Sequence, residues 1–170
     1  MNKTIALAAA LLLSTSVFAQ AKLKDTQIAK VALTINEGEI DAAEYAKGKA
    51  KNEEVKSFAK MMIDEHERNL KDTKNLAKQE KFTPEKSDLS KSLETDAKAS
   101  NKDLKKTDKA KLDKAYVDQQ VMMHQKALDT FDTVLIPQAE NVALKAHLQK
   151  TREVVAGHLA HAKTLQTKLQ

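Results

Sequence analysis

Four stretches of this chain carry apolar residues at alternating steps of four and three, and each of the four stripes is interrupted once near its middle by a titratable group. The first runs Ile28, Ala32, Ile35, Glu39, Ala42, Ala46 and the second Val55, Ala59, Met62, His66, Leu70, Thr73, Ala77. The third runs Val117, Val121, His124, Leu128, Phe131, Leu135, and the fourth Leu144, Leu148, Thr151, Val155, His158, Ala162, Leu165, Leu169. That spacing puts each set on one side of an α-helix, the side that faces a core. One carboxylate and three imidazoles therefore fall where a helix is normally apolar. Three Gly and two Pro in 170 residues leave few helix breakers, so the expected class is all-α, with enough chain for a four-helix core.

Residues 1–19 differ from the rest. Lys3 gives a positive start, Ile5 to Leu13 an apolar run, and Val17-Phe18-Ala19 a small-x-small signal before Gln20. This reads as a secretory signal peptide, cleaved near Ala19, with 20–24 a short extension and 25–170 the bundle domain. The mature chain is expected in the periplasm or otherwise outside the cytoplasm, and no later stretch has the apolar length of a membrane span. Its formal charge of +5 includes Lys3. The remainder is mixed Lys and Glu/Asp, the pattern of a wet helical surface rather than a nucleic-acid footprint. With no Cys, a metal site must be built from imidazole, carboxylate or thioether.

Along the chain, Asp25 is a plausible cap for a first helix reaching about Lys47. Gly38, beside Glu39, costs about 1 kcal/mol against Ala in mid-helix, which points either to a close neighbour or to a solvent-facing position. Asn52 caps a second helix ending near Glu80, and the short connection makes an antiparallel hairpin. Residues 81–111 form a long polar crossing with one short helix, started by Thr83-Pro84 or Ser87. Its Lys102 to Lys114 portion is a candidate for weak contact with an anionic envelope surface. Thr107 or Asp108 caps a third helix that Pro137 ends or kinks, and Asn141 caps the fourth.

The four polar residues are expected to meet. Counted from a turn near residue 51 at the 1.5 Å rise of a helix, Glu39 and His66 differ in height by roughly 4–5 Å. Counted from a turn near residue 139, His124 and His158 differ by roughly 6 Å. Buried without partners, these groups would be costly, so they are expected to share an ion or to hydrogen-bond one another. Glu39, His66, His124 and His158 suit zinc, iron, copper or manganese. Glu65 is a weaker candidate, as an outer acceptor for an imidazole N–H or an added ligand. His161, one turn past His158, is another. His147 reads as a helix-surface residue, and Met62, Met122 and Met123 read as packing residues before thioether ligands.

Asn36-Glu37-Gly38-Glu39-Ile40, Met62-Ile63-Asp64-Glu65-His66, Tyr116-Val117 with His124, and His158-Leu159 with Ala162 resemble the exported bacterial family called domain of unknown function 4142. The resemblance spans about residues 25–169. It implies an antiparallel ferritin-like four-helix bundle with a long, partly helical crossover between the second and third helices, and it implies Glu39, His66, His124 and His158 as the characteristic polar positions. Ferritin-like di-iron sites use Glu-x-x-His on two helices. Here Ile63 and Val155 stand three residues before His66 and His158, so a single ion fits these residues better than a di-iron pair. The expectation is an exported bundle binding one transition-metal ion for metal handling or envelope stress protection. The alternatives are a metal-free buried polar layer in a structural or interaction protein, and a metal-dependent oxidoreductase.

Overall fold

The computed structural model describes residues 22–169. The expected leader and the start of the 20–24 extension lie outside them. The described residues are helical throughout, joined by short turns: α1 Asp25–Lys49, α2 Glu53–Gln79, α3 Asp88–Lys106, α4 Leu112–Thr130, a π-helical turn Phe131–Leu135 continuing into α5 Ile136–Gln138, and α6 Val142–Lys168. None of these helices is long and apolar enough to cross a membrane.

The caps set the starts. The Asn52 side chain accepts from Glu54 N and Val55 N, and that of Asn141 accepts from Leu144 N at 2.8 Å, so orphan amides at both helix starts are satisfied. At the end of α2, Lys81 takes the left-handed conformation (φ 57°) and Phe82 N bonds back to Ala77 O at 3.0 Å. This closure stops the helix and turns Phe82 toward the core.

Two departures from the sequence reading have local causes. α3, N-capped by Ser87, is 19 residues long where one short helix is expected, because Ser87 and Ser90 form a reciprocal cap and Leu89, Leu93 and Leu104 give it an apolar seam. Neither Thr107 nor Asp108 caps α4. Asp108 accepts from Ala110 N at 2.7 Å and shapes the turn ahead of a helix that begins at Leu112. Pro137, expected to end or kink the third rod, lies one residue before its end at Gln138. A π-helical turn precedes it, which accommodates the missing donor before Ala139 leaves the helix.

α1 packs most extensively on α2, α4 on α6, and α3 lies along α1. The core is in two parts. One holds Ala42, Ala46, Val55, Phe58, Met62, Leu112, Tyr116, Val117, Ala162 and Leu165. The other holds Ile28, Val31, Ala32, Leu128, Phe131, Leu135, Leu144, Leu148 and Val155. On α1 and α4 the break between them coincides with buried polar residues, Asn36 and Glu39 on α1 and Gln120 and His124 on α4, and His66 on α2 and His158 on α6 are buried with them. A polar layer thus divides the bundle across its middle.

Candidate metal centre

The middle layer brings three rings together. Ring centroids are 5.6 Å apart for His66 and His124, 5.1 Å for His66 and His158, and 5.3 Å for His124 and His158. All three residues are at least 96% buried, with exposures of 3%, 1% and 4%. One nitrogen from each lies within 4.8 Å of the other two.

Hydrogen bonds on the far side of each ring decide which nitrogen is bare. Asn36 spends its amide N–H groups on Ala32 O (2.8 Å) and Asn69 Oδ1 (2.9 Å). Its Oδ1 can therefore only accept, and it accepts from His66 Nδ1 at 2.9 Å. His124 Nδ1 meets the carbonyl of Gln120 at 2.9 Å, and His158 Nε2 meets Glu65 Oε2 at 2.8 Å. Each partner is an acceptor, so His66 and His124 carry the proton on Nδ1 and His158 carries it on Nε2. What remains is a lone pair on His66 Nε2, His124 Nε2 and His158 Nδ1. Among the described residues nothing meets His66 Nε2, while His124 Nε2 and His158 Nδ1 stand 3.3 Å apart with no proton between them.

Burial holds all three imidazoles neutral. His124 is lowered to about 4 by desolvation. His66 is pushed well below its ordinary value by desolvation, then by the neighbouring His124 and His158. Desolvation also lowers His158, opposed by its bond to Glu65. Neutral imidazole is the metal-binding form, so no proton need leave. Three imidazoles held by one tetrahedral ion at about 2.0–2.1 Å place their nitrogens about 3.3 Å and their ring centroids about 5 Å apart. The ring centroids and the His124–His158 nitrogens, 3.3 Å apart, match those dimensions, and all three nitrogens lie within 4.8 Å of one another. The outer acceptors, an amide, a backbone carbonyl and a carboxylate, are the kinds that orient ligating histidines.

Glu39 lies in the same layer, 1% exposed, but outside this nitrogen cluster. Its Oε2 accepts from Gln120 Nε2 at 2.9 Å, and its Oε1 is 3.6 Å from His124 Nδ1, the nitrogen turned away from the other two rings. Desolvation pushes its carboxyl up to about 7, against the lowering effect of the Gln120 bond. The helix stripe places Glu39 at the right height and leaves open the side of the ring it meets. Glu65, partly exposed, holds His158 from outside. His161 is exposed and packs edge-on against Phe58, centroids 4.9 Å apart, so it stays out of the centre. His147 is more than a surface residue: its Nε2 bonds Thr73 Oγ1 at 2.8 Å.

The profile of a family described as Domain of unknown function (DUF4142) matches residues 12–165, a span that includes every residue of the centre. The chain belongs to the DUF4142 family. Comparison with curated proteins and with solved structures gave no match. In this DUF4142 chain, the residues that reading the stripes missed are Asn36, Gln120 and Asn69, which bonds the stripe residue Thr151 at 2.7 Å. Asn36 is three residues before Glu39, Gln120 four before His124, and Asn69 three after His66. An amide side chain one turn from Glu39, His66 and His124 is the signal that finds them.

Proposed function

We propose that this chain binds a single transition-metal ion through His66 Nε2, His124 Nε2 and His158 Nδ1, and that it serves metal handling or stress protection outside the cytoplasm as a ferritin-like four-helix protein. The observation that carries the reading is the set of three bare nitrogens converging in a buried layer, each ring oriented by an acceptor behind it. A buried imidazole nitrogen without a partner costs about 1–3 kcal/mol, and a cation shared by three of them removes that cost. A ligand set made only of imidazole suits zinc, copper and iron better than manganese, which favours carboxylate and carbonyl oxygen. Three protein ligands leave one tetrahedral position for water or a small ligand. Glu39 is then a support behind His124, and Glu65 fixes the tautomer of His158.

Metal analysis of untagged purified chain, reconstituted in turn with zinc, copper, iron and manganese, tests the proposal. About one equivalent should be retained by the wild type and lost in His66→Ala. Near-zero retention by both proteins with every metal would remove the idea.

A metal-free polar layer is the second reading, favoured by the continuous chain Asn36, Asn69, Thr151, whose hydrogen bonds need no ion. The two separate on heating. A resident ion at about 100 times its dissociation constant stabilises the fold by about 2.7 kcal/mol, whereas a purely structural layer gives no metal-dependent change in melting temperature.

A further inference from the structure

Beside the metal layer, α1, α3 and α4 leave a half-open pocket of about 260 Å³. Its walls are almost wholly apolar, formed by Ile35, Leu93, Ala97, Met122 and Met123, and Glu39 lines it as well. The small side chain of Ala97 is forced by the helix approach, since a Cβ at Gly38 would lie 2.8 Å from Ala97 Cβ. Across the mouth, Lys126 on α4 is paired with Asp96 on α3, so the rim charges cancel each other. Met122, on the rim, is 57% exposed.

Glu39 sets the chemistry. Its Oε2 is taken by the Gln120 amide. Among the described residues no hydrogen bond reaches Oε1; His124 Nδ1, 3.6 Å away, is bonded instead to the Gln120 carbonyl. A carboxyl oxygen bonded by no donor, on a side chain that is buried and lines a pocket with apolar walls, matches a ligand with a hydrocarbon body and a cationic N–H head. Thr34 and Ser100 line the same space, and a hydroxyl oxygen can accept further hydrogens of an ammonium group. The volume lies below the roughly 300–1,000 Å³ of drug-sized sites, which limits the ligand to a short chain.

We propose that this pocket binds a small primary alkylammonium, with its chain along Met122, Met123, Leu93 and Ile35 and its ammonium on Oε1 of Glu39. The site is separate from the three-histidine centre and does not depend on an ion being there.

The test uses the whole chain labelled at methionine methyls, titrated with n-hexylammonium, n-hexanol or hexanoate and followed by two-dimensional NMR. Hexylammonium should shift the Met122 and Met123 methyls saturably while Met61 and Met62 stay still, and hexanoate should do nothing. Glu39→Gln should weaken hexylammonium at least about tenfold, with little change for hexanol. Met122→Arg, at an exposed position that leaves the fold alone, should weaken it too by placing a like charge at the mouth. Equal binding of hexanol and hexylammonium by the wild type, an unchanged affinity in both variants, or no saturable shift would overturn the proposal, whatever the metal analysis shows.

Discussion

At the scale of single residues, the centre is defined less by its histidines than by what stands behind them. Asn36 can accept from His66 only because its own amide is committed to Ala32 and Asn69. Asn36→Ala should therefore free the His66 ring and weaken metal retention by about 10–100-fold, read by competition with a chromogenic chelator. An unchanged affinity would mean that packing alone orients the ring. Glu39 and the histidines also pull stability in opposite directions with pH. The histidines have native pKa values below the ordinary 6.5, so the unfolded chain takes up protons first and stability falls as pH drops from about 6.5 toward 4. Glu39 is raised from 4.5 to about 7, so its contribution is complete below 4.5 and is lost as pH rises through about 7. In chelator-treated protein, Glu39→Gln should steepen the acid-side fall between about 4.5 and 6.5 by up to about 1.4 kcal/mol per pH unit and make the variant more stable than wild type at pH 8. Urea midpoints across pH 4–8 check this, and parallel curves for the two proteins would refute it. The four interrupting residues were legible because a stripe fixes the face and the height of a side chain. Which edge of His124 meets Glu39 was not legible, since that depends on rotamers and on a neighbour, Gln120, that lies off the stripe.

At the scale of elements, the glycines separate two roles that look alike in the sequence. Gly38 and Gly157 are both mid-helix, where Gly costs about 1 kcal/mol relative to Ala. An added Cβ at Gly157 meets nothing within 4 Å, whereas at Gly38 it comes within 2.8 Å of Ala97 Cβ. Gly157→Ala should stabilise the fold by about 0.5–1 kcal/mol, and Gly38→Ala should destabilise it by about 1–3 kcal/mol as α3 is pushed from α1. Thermal melts of the two variants give the signs directly, and a stabilised Gly38→Ala would show that α3 yields freely. The sequence marked Gly38 as a point of close approach or of exposure, and the partner decides between them. That partner was hidden because α3 has few large apolar anchors. Its contact with α1 runs through small or polar side chains such as Ala97 and Asn101, whose amide reaches Gly38 O at 3.1 Å.

At the scale of the whole molecule, the two hairpins are tied at opposite ends by matching clamps. Asp113, at the start of α4, accepts from Lys51 N and Asn52 N (2.9 and 3.0 Å). Asp25, at the start of α1, accepts from Glu140 N and Asn141 N (3.0 and 2.9 Å). In both cases an aspartate opening one hairpin holds the turn of the other, just before the asparagine that caps its second helix. The correspondence extends inward: Asn36 follows Asp25 at the distance at which His124 follows Asp113, and Asn69 follows Asn52 at the distance at which His158 follows Asn141. The hydrogen-bonded Asn36–Asn69 pair is thus the counterpart of the His124–His158 pair, so one hairpin brings an amide pair and His66 to the layer and the other brings two facing histidines. Because each clamp satisfies two turn amides with a charged acceptor, Asp25→Ala and Asp113→Ala should each cost about 1–3 kcal/mol. Lying at opposite ends of the bundle with no shared partner, they should add in the double variant to within about 0.5 kcal/mol, with metal stoichiometry retained in all three proteins. Chemical denaturation of the two singles and the double is the measurement. A double variant no less stable than the worse single would mean that the hairpins dock through the core alone, and a loss of bound metal in either single would mean that the end clamps, not the outer hydrogen bonds of the layer, set the spacing of the three rings.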